Sequence, residues 1–493
     1  MRAWRFPTLS LPLHSARSLA RGVPHSLANR AEIIRFGSDG WHSRFDAGFS
    51  EENVSRVAAA LGTLWEHERP SGVVFVGYDT RHNSAKFART AAEVMASKGL
   101  TAILSDRPCP TPVAAWTCSK RENAIGVVMV TASELSCEYG GIIVRGADGG
   151  PVSRIFLDAV EQEISSEPCF ERGEIAVENF VSPYIENLVS LVDVKTIRDA
   201  RLSVVVDPMY GAGTGILSQA LEALGCSVTE IHADQKEDFG GIHPEPADPW
   251  ADDCEQEVLD TASDLGILLD CDGDRAAIVD AQGNILLPHE LSPLVLGHVV
   301  EDRGMQGRVV TTLTCSARIQ RQAERLDCGY TTVPVGFSRI YREMLDGDVV
   351  MGVEEYGGMS FPGHLHERDG LLVALLVVEL VAQKGEGVRE LVTAMGDKIG
   401  HMRYTRRDIR LDSAATQAFR NILPGLNPAS VAGREPVEVS HADGLRLTFS
   451  DGSWVLMRPS RADSVVRVYS EAPDEGERDR LLEASCGIVR AGA

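Results

Sequence analysis

Leu265-Gly266-Ile267-Leu268-Leu269 runs directly into Asp270-Cys271-Asp272-Gly273-Asp274-Arg275. The apolar pentapeptide reads as a buried strand, and three carboxylates at alternate positions follow it at once. In a loop, that spacing turns three oxygens toward one point. Hard divalent cations such as Mg2+ take oxygen ligands, and an oxygen from a substrate or phosphoenzyme completes the shell. The alternative is a solvated acidic turn. Carboxylates crowded at the end of a buried strand repel one another unless a cation is present, so Asp270, Asp272 and Asp274 are read as metal ligands. Arg275 is read as a contact to phosphate or a neutralising partner of the cluster. An EF-hand is excluded, because nothing like its closing Glu follows and the residue twelve on is Gln282.

The same strand-then-loop unit recurs on either side. Residues 125–130 form an apolar run that ends at Thr131-Ala132-Ser133. A serine there sits where loop amides cradle a phosphate, although alone it is an ordinary turn residue. Val73-Val74-Phe75-Val76 reads as a strand before the turn Gly77-Tyr78-Asp79. Val54, Val57, Ala58, Leu61, Leu64 and Trp65 share one helix face. Residues 202–206 form another strand, followed by the tight loop Asp207-Pro208-Met209-Tyr210-Gly211-Ala212-Gly213 and a helix to about Leu224. Residues 309–313 and 349–353 open a third cycle. Alternation of this kind predicts an α/β protein with largely parallel sheets and ligand loops at the strand C-termini. From about residue 405 the pattern becomes strand-rich α+β, with runs at 445–449, 454–457 and 465–469. The expected division is a basic tail over 1–31, α/β domains over 32–180, 181–290 and 291–402, and an α+β domain over 403–493.

The chain's 493 residues are too many for one core. With 44% hydrophobic and 24% charged residues it has the composition of an ordinary globular protein. The formal charge of -23 repels nucleic acid and anionic membranes, so neither is an expected partner. Any phosphate site must be a local basic pocket. Ten scattered cysteines contain no CxxC pair and no zinc spacing, which predicts reduced thiols in a cytoplasmic protein. The longest apolar run, 371–378, is too short to span a bilayer and reads as a buried helix. Residues 1–31 carry Arg2, Arg5, Arg17, Arg21 and Arg30 with no acidic residue before Glu32. That composition suits a disordered basic tail, a transit peptide or an over-extended start, and a tail is expected.

Further stretches carry a family resemblance. These are Phe36-Gly37-Ser38-Asp39-Gly40-Trp41, Val76-Gly77-Tyr78-Asp79-Thr80-Arg81, Pro110-Thr111-Pro112 and Thr131-Ala132-Ser133. They continue with Asp270 to Arg275, Glu354-Glu355-Tyr356-Gly357-Gly358, Arg368-Asp369-Gly370, Arg458-Pro459-Ser460 and Arg467-Val468-Tyr469. In this order they resemble the motifs of the phosphohexomutases, the phosphoglucomutase and phosphomannomutase superfamily, over about residues 33 to 475. The resemblance implies a four-domain architecture around a central cleft. It implies an isomerase of carbohydrate metabolism that acts on a phosphorylated sugar as a monomer or homodimer. It also implies a mechanism: a phosphoserine, here Ser133, gives its phosphoryl group to a sugar phosphate, the bisphosphate turns over, and the serine takes the other group back. Mg2+ would bridge Ser133 to Asp270, Asp272 and Asp274. Glu354, Tyr356, Arg368, Arg458, Ser460, Arg461 and Arg467 fall on the substrate-binding positions.

Departures from the family cluster at functional positions. The His, Asn and Pro that follow the family's serine are Glu134, Leu135 and Ser136, and its downstream Lys, a candidate acid/base, is Ile143. The opening-loop Arg is His42, a third-domain Lys is Ser338, the sugar-loop Ser is Tyr356, and the fourth-domain SGTEP reads Ser460-Arg461-Ala462-Asp463-Ser464. Each lost charge-assisted contact costs about 1.5–3 kcal/mol of substrate binding. Glu134 and His42 are new titratable groups that either replace the acid/base or fill vacated space. Three outcomes follow: a mutase of altered specificity, a phosphatase or other metal-dependent enzyme on the same site, or a non-catalytic sugar-phosphate binder.

Overall fold

The structure, a computed structural model, describes residues 33–37, 40–460 and 464–492. The expected basic tail, and Arg461 of the fourth-domain loop, lie outside the described residues. Four sheets follow one another along the chain. The first has the strand order Trp41–Arg44, Tyr139–Gly146, Ala124–Val130, Val73–Tyr78, Thr101–Ser105, Ala176–Glu178. The second runs Ile285–Leu286, Ala276–Asp280, Leu265–Leu269, Ser203–Asp207, Ser227–Glu230, and the third Tyr330–Val333, Arg308–Thr312, Val349–Val353, Met359–Ser360. The fourth is antiparallel throughout, Arg403–Arg410, Val465–Ala472, Trp454–Pro459, Leu445–Thr448, Glu438–Ser440, with the helix Glu475–Gly492 packed on it.

The elements form for local reasons. In the helix Glu51–Glu68, Ser50 caps the Asn53 amide at 3.3 Å, and Val54, Val57, Leu61 and Trp65 are buried. The apolar run beyond residue 370 is the buried helix Gly370–Lys384, capped by Asp369, whose carboxylate accepts from the Leu372 amide at 3.0 Å. No helix among the described residues is long and apolar enough to cross a membrane.

The expectation of largely parallel sheets needs correction, because the three α/β sheets are mixed. Ala124–Val130 pairs antiparallel with Tyr139–Gly146, Leu265–Leu269 with Ala276–Asp280, and Val349–Val353 with Met359–Ser360. In each case the chain leaves a central strand, makes one loop and returns beside the same strand. A short loop suffices for an antiparallel return, whereas a parallel one needs a crossover. The three loops closed in this way, 131–138, 270–275 and 354–358, are the ones singled out by their residues.

Candidate active site

Ser133 stands three residues past the strand Ala124–Val130 and is buried, with a left-handed backbone (φ 48°). Its amide donates to Thr131 Oγ1 at 3.0 Å. Its hydroxyl lies 3.3 Å from Asp270 Oδ2 and within reach of Asp272 and Glu134, so the first and second domains meet at this atom. The backbone carbonyls of the loop converge on Arg81. Its Nη1 donates to Ser136 O at 2.6 Å and Tyr139 O at 3.2 Å, and its Nη2 to Leu135 O at 2.5 Å and to Ser133 O.

Asp270, Asp272 and Asp274 are each 1% exposed or less, and one oxygen from each lies within 4.8 Å of the others. Thr111 donates its hydroxyl to Asp272 Oδ2 at 2.5 Å and its amide to Asp272 O at 2.8 Å. The Arg275 amide donates to Asp270 Oδ1 at 3.1 Å. Asp272 Oδ1, although buried, has no hydrogen-bond donor. Burial and the Asp274 and Asp272 charges push the Asp270 carboxyl well above its ordinary range. Burial and Asp274 push Asp272 up to about 7. A buried, oxygen-only donor set with an orphaned oxygen, and mutual repulsion that Arg275 and Arg368 offset only in part, fits a hard divalent cation.

Arg275 links the two loops from above. Its Nη1 is 3.3 Å from Glu134 Oε2, and its Nε is 3.5 Å from Asp274 Oδ1. Burial opposes the charge of Glu134, but Arg275, the residue's own amide, the Ser133 hydroxyl and His42 outweigh it and hold the carboxyl below its usual range. His42 lies on the edge strand opposite Gly141, where a Cβ would come within 2.2 Å of its ring. Ile143, in place of the family's lysine, is packed into the core.

The third-domain loop approaches from the other side. Arg368 bridges it to the loop 270–275, with Nη2 2.6 Å from Asp274 Oδ2 and Nη1 donating to Glu354 Oε2 at 2.8 Å. Phe337 lies under the same guanidinium, 5.3 Å from ring centroid to Cζ. The Tyr356 ring is half-exposed and meets Arg275 at 5.7 Å and Arg406 at 5.0 Å.

The fourth-domain arginines face carboxylates. Arg458 Nε donates to Asp443 Oδ2 at 2.8 Å, and Arg467 Nε is 3.8 Å from Asp408 Oδ2. Arg406 Nε lies 3.0 Å from Asp408, and its Nη1 3.5 Å from Glu355. The Ser460 amide donates to Val465 O at 2.8 Å. Ser133, Glu134, His42, Arg275 and the three aspartates therefore form one group, and Glu354, Tyr356 and Arg368 border it. Arg458, Ser460 and Arg467 form a separate group on the fourth sheet. Sequence reading gave no role to Arg81, Thr111 or Arg406. The first two lie inside quoted motifs, but their partners are distant in the chain.

Comparison with known proteins agrees with the order of domains along the chain. Models of the phosphoglucomutase/phosphomannomutase alpha/beta/alpha domains I, II and III match residues 34–169, 182–283 and 288–398. A phosphoglucomutase/phosphomannomutase of Thermococcus kodakarensis is 29% identical over 461 residues, covering 92% of this chain and 98% of its own. A phosphoglucosamine/phosphogalactosamine mutase of Sulfurisphaera tokodaii is 24% identical, with coverage of 92% and 98%. A crystal structure from Thermus thermophilus, described as a candidate phosphomannomutase, superposes with a TM-score of 0.84 at 30% identity, covering 93% of this chain and all of that one. Three matched family domains in series, followed by an antiparallel fourth sheet, lead to one conclusion: the chain belongs to the phosphoglucomutase/phosphomannomutase family.

Proposed function

We propose that the protein is a magnesium-dependent phosphosugar mutase of altered specificity in which Ser133 carries the phosphoryl group. The observation that carries this reading is the Ser133 hydroxyl 3.3 Å from Asp270, at the mouth of a buried carboxylate triad. Asp270, Asp272 and Asp274 would hold the cation together with the Ser133 oxygen. When bound, Mg2+ supplies neutralising charge to the transferring group. The residues of the chain do the rest. Phosphorylated Ser133 gives its group to a hydroxyl of a sugar phosphate, and that hydroxyl's proton passes to a base. Glu134 and His42 are the bases on the serine side of the cleft. The bisphosphate then presents its other phosphate, Ser133 takes it, and the proton returns to the freed sugar oxygen. Arg275 and Arg368 hold phosphoryl oxygens, and Glu354 accepts a sugar hydroxyl.

The relatives support a phosphorylated sugar as substrate, and the cleft argues against ordinary glucose or mannose phosphate. Tyr356 occupies space that a serine leaves open, and Arg458 and Arg467 face Asp443 and Asp408. The same pairing favours a second reading, one-way transfer or phosphatase action, because turning a bisphosphate over needs a strong second phosphate site. Phosphate occupancy at Ser133 by mass spectrometry, with a sugar-phosphate panel followed by phosphorus NMR, tests both. An isomeric phosphate as product, lost in Ser133→Ala, supports the mutase, whereas release of inorganic phosphate supports the second reading. No phosphorylation and no turnover across the panel would sink both and leave a non-catalytic binder.

A further inference from the structure

We propose that Arg81 is a positioning residue for phosphoryl transfer, the template on which the Ser133 loop takes its shape, and that Phe239 of the second domain holds Arg81 in place. The proposal rests on Ser133 being the phosphoryl carrier. Three carbonyls of one loop, those of Ser133, Leu135 and Ser136, and that of Tyr139 opening the next strand accept from a single guanidinium whose side chain is fully buried. Only the planar fork of an arginine offers enough N–H groups in fixed directions for that. The loop needs such a template because Ser133 adopts a left-handed backbone, a conformation that persists only where the surroundings over-determine it.

Arg81 is itself fixed on two sides. Its Nε donates to Asp79 Oδ2 at 3.1 Å, and Asp79 also accepts from Ser84 Oγ at 2.6 Å and from the Cys271 thiol at 3.4 Å. Cys271 stands between the first two aspartates of the metal loop, so one carboxylate ties the serine template to that loop. On the other side the guanidinium lies over the Phe239 ring, 4.8 Å from its centroid, and Phe239 is fully buried against Tyr210 and Cys271. Thr80 donates its hydroxyl to Tyr210 O at 2.7 Å, a second tie across the same domain boundary. The direction in which the Ser133 hydroxyl points is therefore set jointly by the first and second domains, through a residue that touches no substrate.

Arg81→Lys keeps the charge and loses the fork, and Phe239→Leu keeps the apolar volume and loses the ring face. Two measurements on the full chain decide the matter. The first is amide hydrogen exchange in peptides covering 131–139 and 268–276. The second is the rate at which glucose 1,6-bisphosphate with Mg2+ phosphorylates Ser133. The expected result for Arg81→Lys is faster exchange at 131–139 with that at 268–276 little changed, a lower melting temperature because buried carbonyls lose a donor, and a maximal phosphorylation rate roughly a hundredfold lower at an unchanged half-saturating concentration. Phe239→Leu should show the same pattern more weakly, and it decides the question if the lysine variant does not fold. Wild-type exchange at 131–139 in a folded variant overturns the proposal, as does an effect on half-saturation instead of maximal rate. If wild-type Ser133 accepts no phosphoryl group from this bisphosphate, the sugar-phosphate panel decides the mutase reading, and the exchange measurement alone decides whether Arg81 is the template.

Discussion

Gly370→Ala should damage the carboxylate loop 270–275 from a position outside it. Gly370 opens the long buried helix, and its amide donates to Gly273 O at 3.1 Å. A Cβ built on Gly370 would lie 2.5 Å from both the carbonyl carbon and oxygen of Arg275 and 2.9 Å from its nitrogen. These are backbone atoms, so no side chain can swing aside. Restoring ordinary contact requires the two segments to part by about 1 Å, and overpacking of that kind costs about 1–3 kcal/mol. The displaced Arg275 amide is the donor to Asp270 Oδ1, and its side chain faces Glu134 and Asp274. A shift of that size in a catalytic constellation lowers turnover by about a hundredfold. The variant should therefore melt lower, bind Mn2+ or Mg2+ more weakly by calorimetry, and phosphorylate Ser133 more slowly. A variant that melts and binds metal like the wild type would refute the claim that close approach fixes this glycine.

Gly487→Ala, in a helix where an added Cβ meets nothing within 4 Å, should act oppositely and stabilise by about 0.5–1 kcal/mol in chemical denaturation. Glu367→Leu removes the carboxylate facing the buried Arg145 guanidinium across the first and third domains and should cost about 3–5 kcal/mol, whereas Arg145→Met with Glu367→Leu should be nearly neutral; equal losses in single and double variants would contradict this. His289 is buried against Tyr404, with ring centroids 3.7 Å apart, and burial together with Arg318 lowers its pKa to about 3. The unfolded chain therefore binds a proton that the folded chain refuses, so stability falls by up to about 1.4 kcal/mol per pH unit as pH drops from about 6.5 toward 3. Comparing melts at pH 7 and pH 5 with those of His289→Phe, whose slope should be shallower, checks the sign. Asp272→Asn should abolish the rise in melting temperature on adding Mg2+, and the metal-free variant should melt no lower than the metal-free wild type, because a buried repulsion is gone.

What the sequence disclosed followed the range of each interaction. The buried carboxylate triad was legible because its three residues lie within five positions after an apolar strand. Ser133 was legible only as part of a motif order, since its partner Asp270 comes from another domain. Thr111 and Arg81 were visible as letters of motifs, but a hydroxyl aimed at Asp272 and a guanidinium gathering four carbonyls are properties of the folded chain. The sheets were misjudged where hairpin strands such as Ala276–Asp280 carry the same apolar pattern as a parallel neighbour. Asp443 and Asp408, which face the fourth-domain arginines, gave no signal, because an acidic residue in an acidic chain stands out from nothing.

The three hairpins that enclose the site also bear on how such a chain changes over generations. A loop that leaves and rejoins the same pair of hydrogen-bonded strands can be rewritten without moving any crossover helix. Glu134-Leu135-Ser136 stand in a loop whose flanking strands are held in register by pairs such as Met129 with Ile143, so changes within the loop leave that register alone. Tyr356 stands in the loop 354–358 under the same freedom. Vocabulary and grammar are thus separable here, and a lineage can try new substrates one hairpin at a time while keeping the frame that makes phosphoryl chemistry available.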